Sequence, residues 1–209
     1  MSREDELTQM AIEYHQDAAA RTPEEEIVVP TPECPYDHYG NRGVVDLHLR
    51  RELVQDGERT IPHHDYVYEM KSDAAVREAT GANEILRQFN RARQYFYRDD
   101  SRSAPLDVHF ELLFDITPTT VRHIQQNYQL YHAVNEGDLA TAPGADTIQA
   151  QVVCRGPEHG IPVLITNHDH GTWAEFTEFL EALSDDPNIE RFRKVVREID
   201  DPEFTGGPT

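Results

Sequence analysis

The chain has 209 residues, of which 38% are hydrophobic, and a formal net charge of −20. This length predicts one domain with elaborations, and no run approaches the ~18 apolar residues of a membrane span. The first residues lack the basic and apolar regions of a signal peptide, so we expect neither membrane insertion nor secretion, and a cytoplasmic location. Cys34 and Cys154 lie far apart without a CxxC pair, which argues against a zinc ribbon or a disulfide scaffold.

Hydrophobic periodicity and turn residues predict the elements of the first half of the chain. In order, they are an amphipathic helix at 3–20, a short strand at 26–29, a turn-rich stretch to 40, a strand at 43–49, a polar connection at 51–64, and a strand at 65–71. The strands at 43–49 and 65–71 are expected to form a hairpin with a long loop.

The second half continues with helices, a further strand and a hairpin. The predicted elements are a helical segment at 73–98 with a break at Gly81, a strand at 106–115, a helix with Thr117 as its N-cap, a hairpin at 147–154 and 161–166, a helix after Thr172, and a last helix at 188–199. This order predicts an α/β protein with a mixed β-sheet flanked by helices.

Glu69 and Lys71 share one face of the predicted strand at 65–71, because side chains alternate along a strand. Asp46 lies in an apolar run of the preceding strand, where burial of a carboxylate requires a partner. Two carboxylates from neighbouring strands, converging with a lysine, suit a hard divalent cation that polarises a phosphoryl oxygen and lowers the pKa of its bound water. The alternative is a solvated Glu69–Lys71 edge with Asp46 in a turn.

Lys71 stands out because Lys71 and Lys194 are the only lysines, so 17 of the 19 basic residues are arginine. An ammonium is a compact charge that can lose its proton, which a guanidinium cannot do. Retention of lysine two residues after Glu69 therefore favours a working role for Lys71. The acidity and the arginine bias resemble those of proteins from extreme halophiles, which implies a halophilic archaeon or its virus as the source and a high-salt cytoplasm.

Asp46, Glu69 and Lys71, with the order helix, three strands, helix, strand, resemble the PD-(D/E)XK nuclease superfamily over about residues 4–116, and its RecB-like branch most closely. The resemblance implies a restriction-endonuclease-like fold, with a nuclease core at 1–135 and a C-terminal hairpin and helical elaboration at 136–209. It also implies a magnesium ion held by Asp46 and Glu69, with Lys71 assisting the attacking water.

The same resemblance assigns a supporting catalytic role to Gln88 on the helix after Lys71. It also implies that a glutamate of the first helix completes the metal site, for which Glu13 is the candidate and Glu6 the second choice. The sequence departs from the family pattern in having no proline before Asp46 and Ala92 where a tyrosine is usual. Tyr95 is the expected substitute for that tyrosine.

The helix containing Gln88 carries four arginines and no acid between Leu86 and Arg98. At 100° per residue Arg87, Arg91 and Arg98 fall on one side and the apolar residues on the other, with Tyr95 at the border. Arginines with neighbouring aromatic residues suit contacts with nucleic acid, so we predict that Arg87, Arg91, Arg98 and Tyr95 bind nucleic acid. The alternative is a basic face paired with acidic residues of this protein. Arg42, Arg50 and Arg51 near Asp46 favour the substrate interpretation.

Two histidine clusters, His63-His64-Asp65 and His168-Asp169-His170, could bind a transition metal. Both are predicted to lie in loops and lack a helical i, i+4 pair, so the sequence favours ordinary histidines.

The leading hypothesis is a metal-dependent nuclease that hydrolyses phosphodiester bonds of nucleic acid, DNA being the expected partner, with Mg²⁺ as cofactor and Mn²⁺ as a substitute. The alternative is a non-catalytic nucleic-acid-binding, assembly or virion protein on the same scaffold, with Glu69 and Lys71 as a structural ion pair. The sequence indicates no oligomeric state.

Overall fold

A computed structural model of the protein describes residues 2–38, 40–57, 59–97, 107–136, 148–166 and 169–201. The strands are β1 (Glu26–His38), β2 (Asn41–Gln55), β3 (Arg59–Lys71), β4 (Asp107–Asp115), β5 (Ile148–Arg155) and β6 (Val163–Leu164). The helices are α1 (Arg3–Ala19), α2 (Asp73–Glu78), α3 (Ala82–Tyr97), α4 (Pro118–Gln126), α5 (Tyr128–His132), a 3₁₀ turn (Ala133–Glu136), α6 (Trp173–Ala182) and α7 (Pro187–Asp200).

Within the described residues, the strands form one six-stranded sheet in the sequential order β1-β2-β3-β4-β5-β6. The pairs β1–β2, β2–β3 and β5–β6 are antiparallel. The predicted α/β class, with a mixed sheet flanked by helices, is confirmed. No helix in the described ranges is both long and apolar enough to cross a membrane.

The β2–β3 hairpin is longer than the sequence predicts. Residues 51–55 and 59–64, expected in a polar connection, belong to the two strands, and Gln55 pairs with Arg59. The chain reverses at Asp56 and Gly57, whose φ angles are +54° and +79°. Asp-Gly is a preferred pair for such positive φ angles, so this dipeptide was the turn signal that the sequence analysis missed.

Strand β1 also continues where the sequence predicts turns. It extends to His38 and contains Pro30, Pro32 and Pro35. Proline cannot donate a hydrogen bond to a second neighbour, but β1 lies at the edge of the sheet and has only β2 beside it. The edge position therefore accommodates prolines that would disrupt an inner strand.

A β-bulge interrupts the β2–β3 pairing near its middle. Arg51 pairs with His64 and Glu52 with Pro62, which leaves His63 as the extra residue. Consecutive residues of a regular strand point to opposite faces, whereas here the rings of His63 and His64 lie 4.0 Å apart, centroid to centroid. The bulge therefore re-aims these side chains, and both lie in β3 instead of the predicted loop.

The predicted helix boundaries depend on local signals that the structure confirms. Gly81, at φ +125°, separates α2 from α3. The side chain of Thr117 caps α4, and that of Thr172 caps α6 in a capping box with Glu175. The helix expected after Pro118 divides at Asn127 into α4 and α5, a break that the apolar spacing does not reveal.

By packing, the chain divides into two compact units. The first comprises Met1–Met70, Leu86–Leu112 and Asp138–Ala150, and the second comprises Lys71–Ile85, Leu113–Gly137 and Gln151–Thr209. In the first unit α1 buries Leu7, Ala11 and Ile12. In the second unit Tyr128 and Phe192 pack on the ring of Phe176.

Candidate active site

The register of β2 and β3 determines which polar side chains meet. The pairing of β2 with β3 begins at Leu47 and Tyr68, and Asp46 and Glu69 occupy the next position along the two strands. Directly opposite residues of an antiparallel pair point to the same face. Asp46 Oδ2 accepts a hydrogen bond of 2.5 Å from the backbone N–H of Met70, which holds this carboxylate beside the end of β3.

Glu69 and Lys71 are both buried, with 6% and 8% of their surface exposed. Lys71 is the last residue of β3, and Ser72 begins α2 by accepting a hydrogen bond from Ala75 N–H. Burial of ionisable side chains requires polar partners, so the solvated strand edge proposed as the alternative does not describe Glu69. Alternation along β3 gives Glu69 and Lys71 the same face, as predicted from the sequence.

The first helix carries both predicted glutamates but contacts the other face of β3. His15 Nε2 lies 2.7 Å from the Tyr68 hydroxyl, and Thr8 Oγ1 donates to Met70 Sδ at 3.2 Å. Glu13 accepts a hydrogen bond from Gln9 at 2.9 Å, and Glu6 binds Arg3 at 2.6 Å. Both carboxylates are only partly exposed, and a metal-binding role for Glu13 stays a prediction.

Helix α3 has the amphipathic division that the sequence predicts. Ala82, Ile85, Phe89 and Ala92 are buried, whereas Arg87 and Arg91 are exposed. Gln88 and Tyr95 are partly buried.

The four predicted nucleic-acid contacts do not all have the same surroundings. The Tyr95 ring packs on Tyr36 at 5.2 Å, and Arg91 makes no hydrogen bond or ion pair with any described residue. Arg98 lies outside the described residues.

A buried ionic cluster that the sequence analysis missed lies farther along the face that carries Asp46 and Glu69. Arg50 Nε and Nη2 donate to the two oxygens of Asp65 at 2.8 and 3.2 Å, and His48 Nε2 lies 3.2 Å from Oδ1. Asp65 is fully buried. Burial would raise the pKa of Asp65, but the hydrogen bonds and charges of His48 and Arg50 outweigh it and hold the pKa well below its usual range.

The arginines near Asp46 are thus engaged within the protein. Arg50 pairs with Asp65, and Arg51 Nε donates to Glu26 Oε2 at 2.7 Å. Arg42 lies 3.5 Å from Asp37 and is largely exposed. Ion pairing with Asp65 of β3 and with Glu26 of β1 accounts for these two guanidinium groups, and contact of Arg50 or Arg51 with substrate stays a prediction.

The described residues also contain a group of ligand atoms on His64, Asp107 and His109, which all lie within 4.8 Å of one another. Burial, aided by the neighbouring imidazoles, lowers the pKa of His64 to about 4, and burial also lowers that of His109. The sequence pattern does not predict that His64 lies next to β4.

The model of the PD-(D/E)XK nuclease superfamily domain matches residues 2–191. The chain belongs to this superfamily. Among curated proteins and solved structures, none matches the chain. The superfamily match includes all the residues proposed for the site, and PD-(D/E)XK nucleases use divalent metals, so the acidic pair Asp46 and Glu69 is the candidate metal centre of this PD-(D/E)XK protein.

The Asp65 cluster predicts a pH dependence of folding. A carboxyl whose pKa is lowered in the folded state stabilises the fold above its unfolded pKa of about 3.9, and this contribution is lost as the pH falls below that value. Asp65→Asn should cost about 2 kcal/mol of unfolding free energy at pH 7, because the hydrogen bonds of Arg50 to a buried, charged carboxylate are lost, and should flatten the decline of stability below pH 4. Denaturant unfolding between pH 7 and pH 2 measures both effects.

Asp37→Asn is the matched control, because Asp37 is half exposed and its contact with Arg42 is 3.5 Å. We expect less than about 1 kcal/mol from this surface pair. Equal losses in the two variants would contradict a special contribution of the buried cluster.

Proposed function

We propose that this PD-(D/E)XK protein is a Mg²⁺-dependent nuclease that hydrolyses phosphodiester bonds, with DNA as its substrate. The single observation that carries the proposal is the position of the Asp46 carboxylate, which the backbone N–H of Met70 holds at the end of β3, between Glu69 and Lys71 in the chain. Asp46 is partly exposed and Glu69 is buried, and two carboxylates at adjacent positions of neighbouring strands repel each other. A cation between them would remove that repulsion.

The donor set fits magnesium better than a softer metal. Asp46 and Glu69 offer carboxylate oxygens, which are the ligands that hard cations prefer, and Mg²⁺ commonly uses one or two carboxylates together with substrate phosphates. When bound, the ion would polarise a phosphoryl oxygen and lower the pKa of a water ligand. The two carboxylates hold the ion, and Glu13 of α1, which contacts the other face of β3, stays the sequence-based candidate for a further ligand.

Lys71 supplies what an arginine cannot. Its ammonium is small, donates three hydrogen bonds and can give up a proton, and its low exposure limits competition from water. We assign it the orientation of the attacking water and the stabilisation of charge that develops on the phosphate. Gln88 of α3 is proposed to support this arrangement through its amide.

The exposed side of α3 is the proposed contact with the nucleic acid backbone. Arg87 and Arg91 are one helical turn apart and both exposed, in a chain whose net charge is −20. A basic surface that persists in so acidic a protein favours a polyanionic partner. The proposed contact also includes Tyr95 and Arg98, of which Arg98 lies outside the described residues.

The surrounding assignments are proposals of the same kind. We place the protein in the RecB-like branch, with its core at 1–135 and an elaboration at 136–209, and in the high-salt cytoplasm of a halophilic archaeon, encoded by that archaeon or by its virus. The arginine bias and the acidic surface support this environment, because molar salt reduces the screening length to about 3 Å and weakens repulsion between carboxylates.

Metal-dependent stability tests the candidate centre. In protein freed of metal, Mg²⁺ or Mn²⁺ should raise the melting temperature, because a ligand at a hundredfold excess over its Kd stabilises the fold by about 2.7 kcal/mol. Asp46→Asn and Glu69→Gln should each abolish the shift while the protein stays folded. Thermal melts with and without metal, in molar potassium chloride, measure it.

Lys71→Ala is the matched control for that experiment, because it should keep the metal-induced shift. If all variants shift as the wild type does, the two carboxylates are not ligands. No shift in any protein, together with no cleavage of single-stranded or duplex DNA, would support the non-catalytic alternative.

Lys71 has a test of its own. Both Lys71→Ala and Lys71→Arg should reduce phosphodiester cleavage about 100-fold or more, since the planar and permanently charged guanidinium cannot replace an ammonium at the water. Lys194→Arg, at an exposed position of α7, should leave the rate unchanged. Wild-type cleavage by the Arg variant would remove the proposed role of Lys71.

The α3 surface is tested by the salt dependence of binding. With Glu69→Gln as a background that holds the substrate intact, Arg87→Gln and Arg91→Gln should each weaken duplex binding and reduce the slope of log K against log salt by about 0.9 per lost phosphate contact. Arg197→Gln is the control, because Arg197 is exposed and paired with Glu181 on another helix. If the slopes of the α3 variants equal that of the background protein, Arg87 and Arg91 do not contact the nucleic acid backbone.

A further inference from the structure

His64, Asp107 and His109 converge from two neighbouring strands. Asp107 and His109 are two residues apart on β4 and so point to the same face, and β3, which carries His64, is adjacent in the sheet. His64 Nδ1 lies 3.5 Å from Asp107 Oδ2, and one ligand atom from each residue lies within 4.8 Å of the others. All three residues belong to the first compact unit.

This cluster is separate from the proposed nuclease centre. His64 and Glu69 are five residues apart in a strand that is regular between them, so their side chains point to opposite faces. At about 3.3 Å per residue they are also about 16 Å apart along β3. One ion cannot contact both sets of residues.

The histidine nitrogens lack the partners that buried polar atoms normally have. His64 Nδ1 and His109 Nε2 are both buried, and neither forms a hydrogen bond with any part of the chain that the structure describes. Leaving such atoms unsatisfied costs free energy, which a ligand at this place would recover.

Neighbouring side chains fix the orientation of these two rings. The Tyr66 ring stacks on His109 at 4.6 Å with an interplanar angle of 11°. His109 also shares a hydrogen bond with Gln149. A hydrogen bond from the imidazole to a neighbouring carbonyl is the usual outer contact of a metal-binding histidine.

We propose that His64, Asp107 and His109 form a second metal site, which binds Zn²⁺ or a similar borderline transition metal and not the Mg²⁺ of the nuclease centre. Two imidazole nitrogens and one carboxylate are a set that suits zinc and its neighbours, whereas magnesium prefers oxygen alone. With ligand bonds of about 2.0–2.2 Å, neighbouring donors of a tetrahedral zinc site are about 3.4 Å apart, close to the His64–Asp107 separation. Three protein ligands leave one coordination position for water or another ligand.

Such an ion would join the beginning of β4 to β3 on the face opposite Asp46. The sequence pattern favours ordinary histidines because it predicts a loop for His63 and His64. Their position in β3, next to the bulge, is what brings His64 to β4.

Zinc binding by the full chain, stripped of metal and then kept in excess Mg²⁺, tests the proposal. Isothermal titration calorimetry should give one Zn²⁺ per chain, and Co²⁺ at the same stoichiometry should give the visible absorption of a site with nitrogen ligands. His64→Asn, His109→Asn and Asp107→Asn should each weaken zinc binding at least tenfold. Circular dichroism in the presence of chelator shows whether each variant is folded. Where a variant does not fold, the cobalt spectrum of the wild-type protein tests the site instead.

His63→Asn is the matched control, because His63 is the adjacent imidazole but lies 3.1 Å from Glu26 and outside the cluster. It should bind zinc as the wild type does, and so should Asp46→Asn, whose defect is confined to magnesium. Zinc binding that survives in all three ligand variants, or that fails in Asp46→Asn, would overturn the second site. The absence of a stoichiometric zinc or cobalt complex in the wild type would overturn it too. None of these outcomes depends on nuclease activity.

Discussion

The register between β2 and β3 is the constraint on which both sites depend. Because side chains alternate with a period of two, a slip by one residue would move every side chain of β3 to the other face. In the observed register Arg50 stands opposite Asp65 and Leu47 opposite Tyr68, so Asp46 and Glu69 occupy the next position along the two strands. The same register gives Tyr66 and Tyr68 to the face on which α1 packs, where His15 contacts both rings. One cross-strand alignment thus separates a carboxylate face from a histidine and tyrosine face.

The burial of two carboxylates, one on β1 and one on β3, is tolerated because both have cationic partners. Asp65 binds Arg50 and His48, and Glu26 binds Arg51 and His63. A buried carboxylate without a partner would cost several kcal/mol, and the charge-assisted hydrogen bonds of arginine offset that cost. These ion pairs also allow charged residues to take strand positions at which apolar side chains would otherwise be expected. Arg50 and Arg51 of β2 are engaged in these internal pairs, whereas Arg87 and Arg91 of α3 have exposed side chains.

The two proposed metal sites differ in the chemistry of their donors. Asp46 and Glu69 present only oxygen atoms. The other site has two nitrogen donors, from His64 and His109, and one carboxylate, from Asp107. The two sets of ligands select between hard and borderline cations by ligand type and coordination geometry more than by charge. The β-bulge at His63 contributes to this difference. Without the extra residue, His63 and His64 would point to opposite faces, and the chain on one side of the bulge would change its register with β2.

The sequence by itself determined the α/β class, the order of elements, the capping of α4 and α6, the break at Gly81 and the superfamily, because these features depend on local spacing and on a motif. The shared face of Glu69 and Lys71 follows from strand periodicity alone, whereas the catalytic and metal-binding roles of these residues remain predictions. Only the tertiary structure decided that residues 51–64 belong to a long hairpin, that Arg50 neutralises Asp65, and that His64 meets Asp107 and His109. Those contacts join residues far apart in the chain, and the register that aligns them is set by the turn, the bulge and the packing of both sheet faces together.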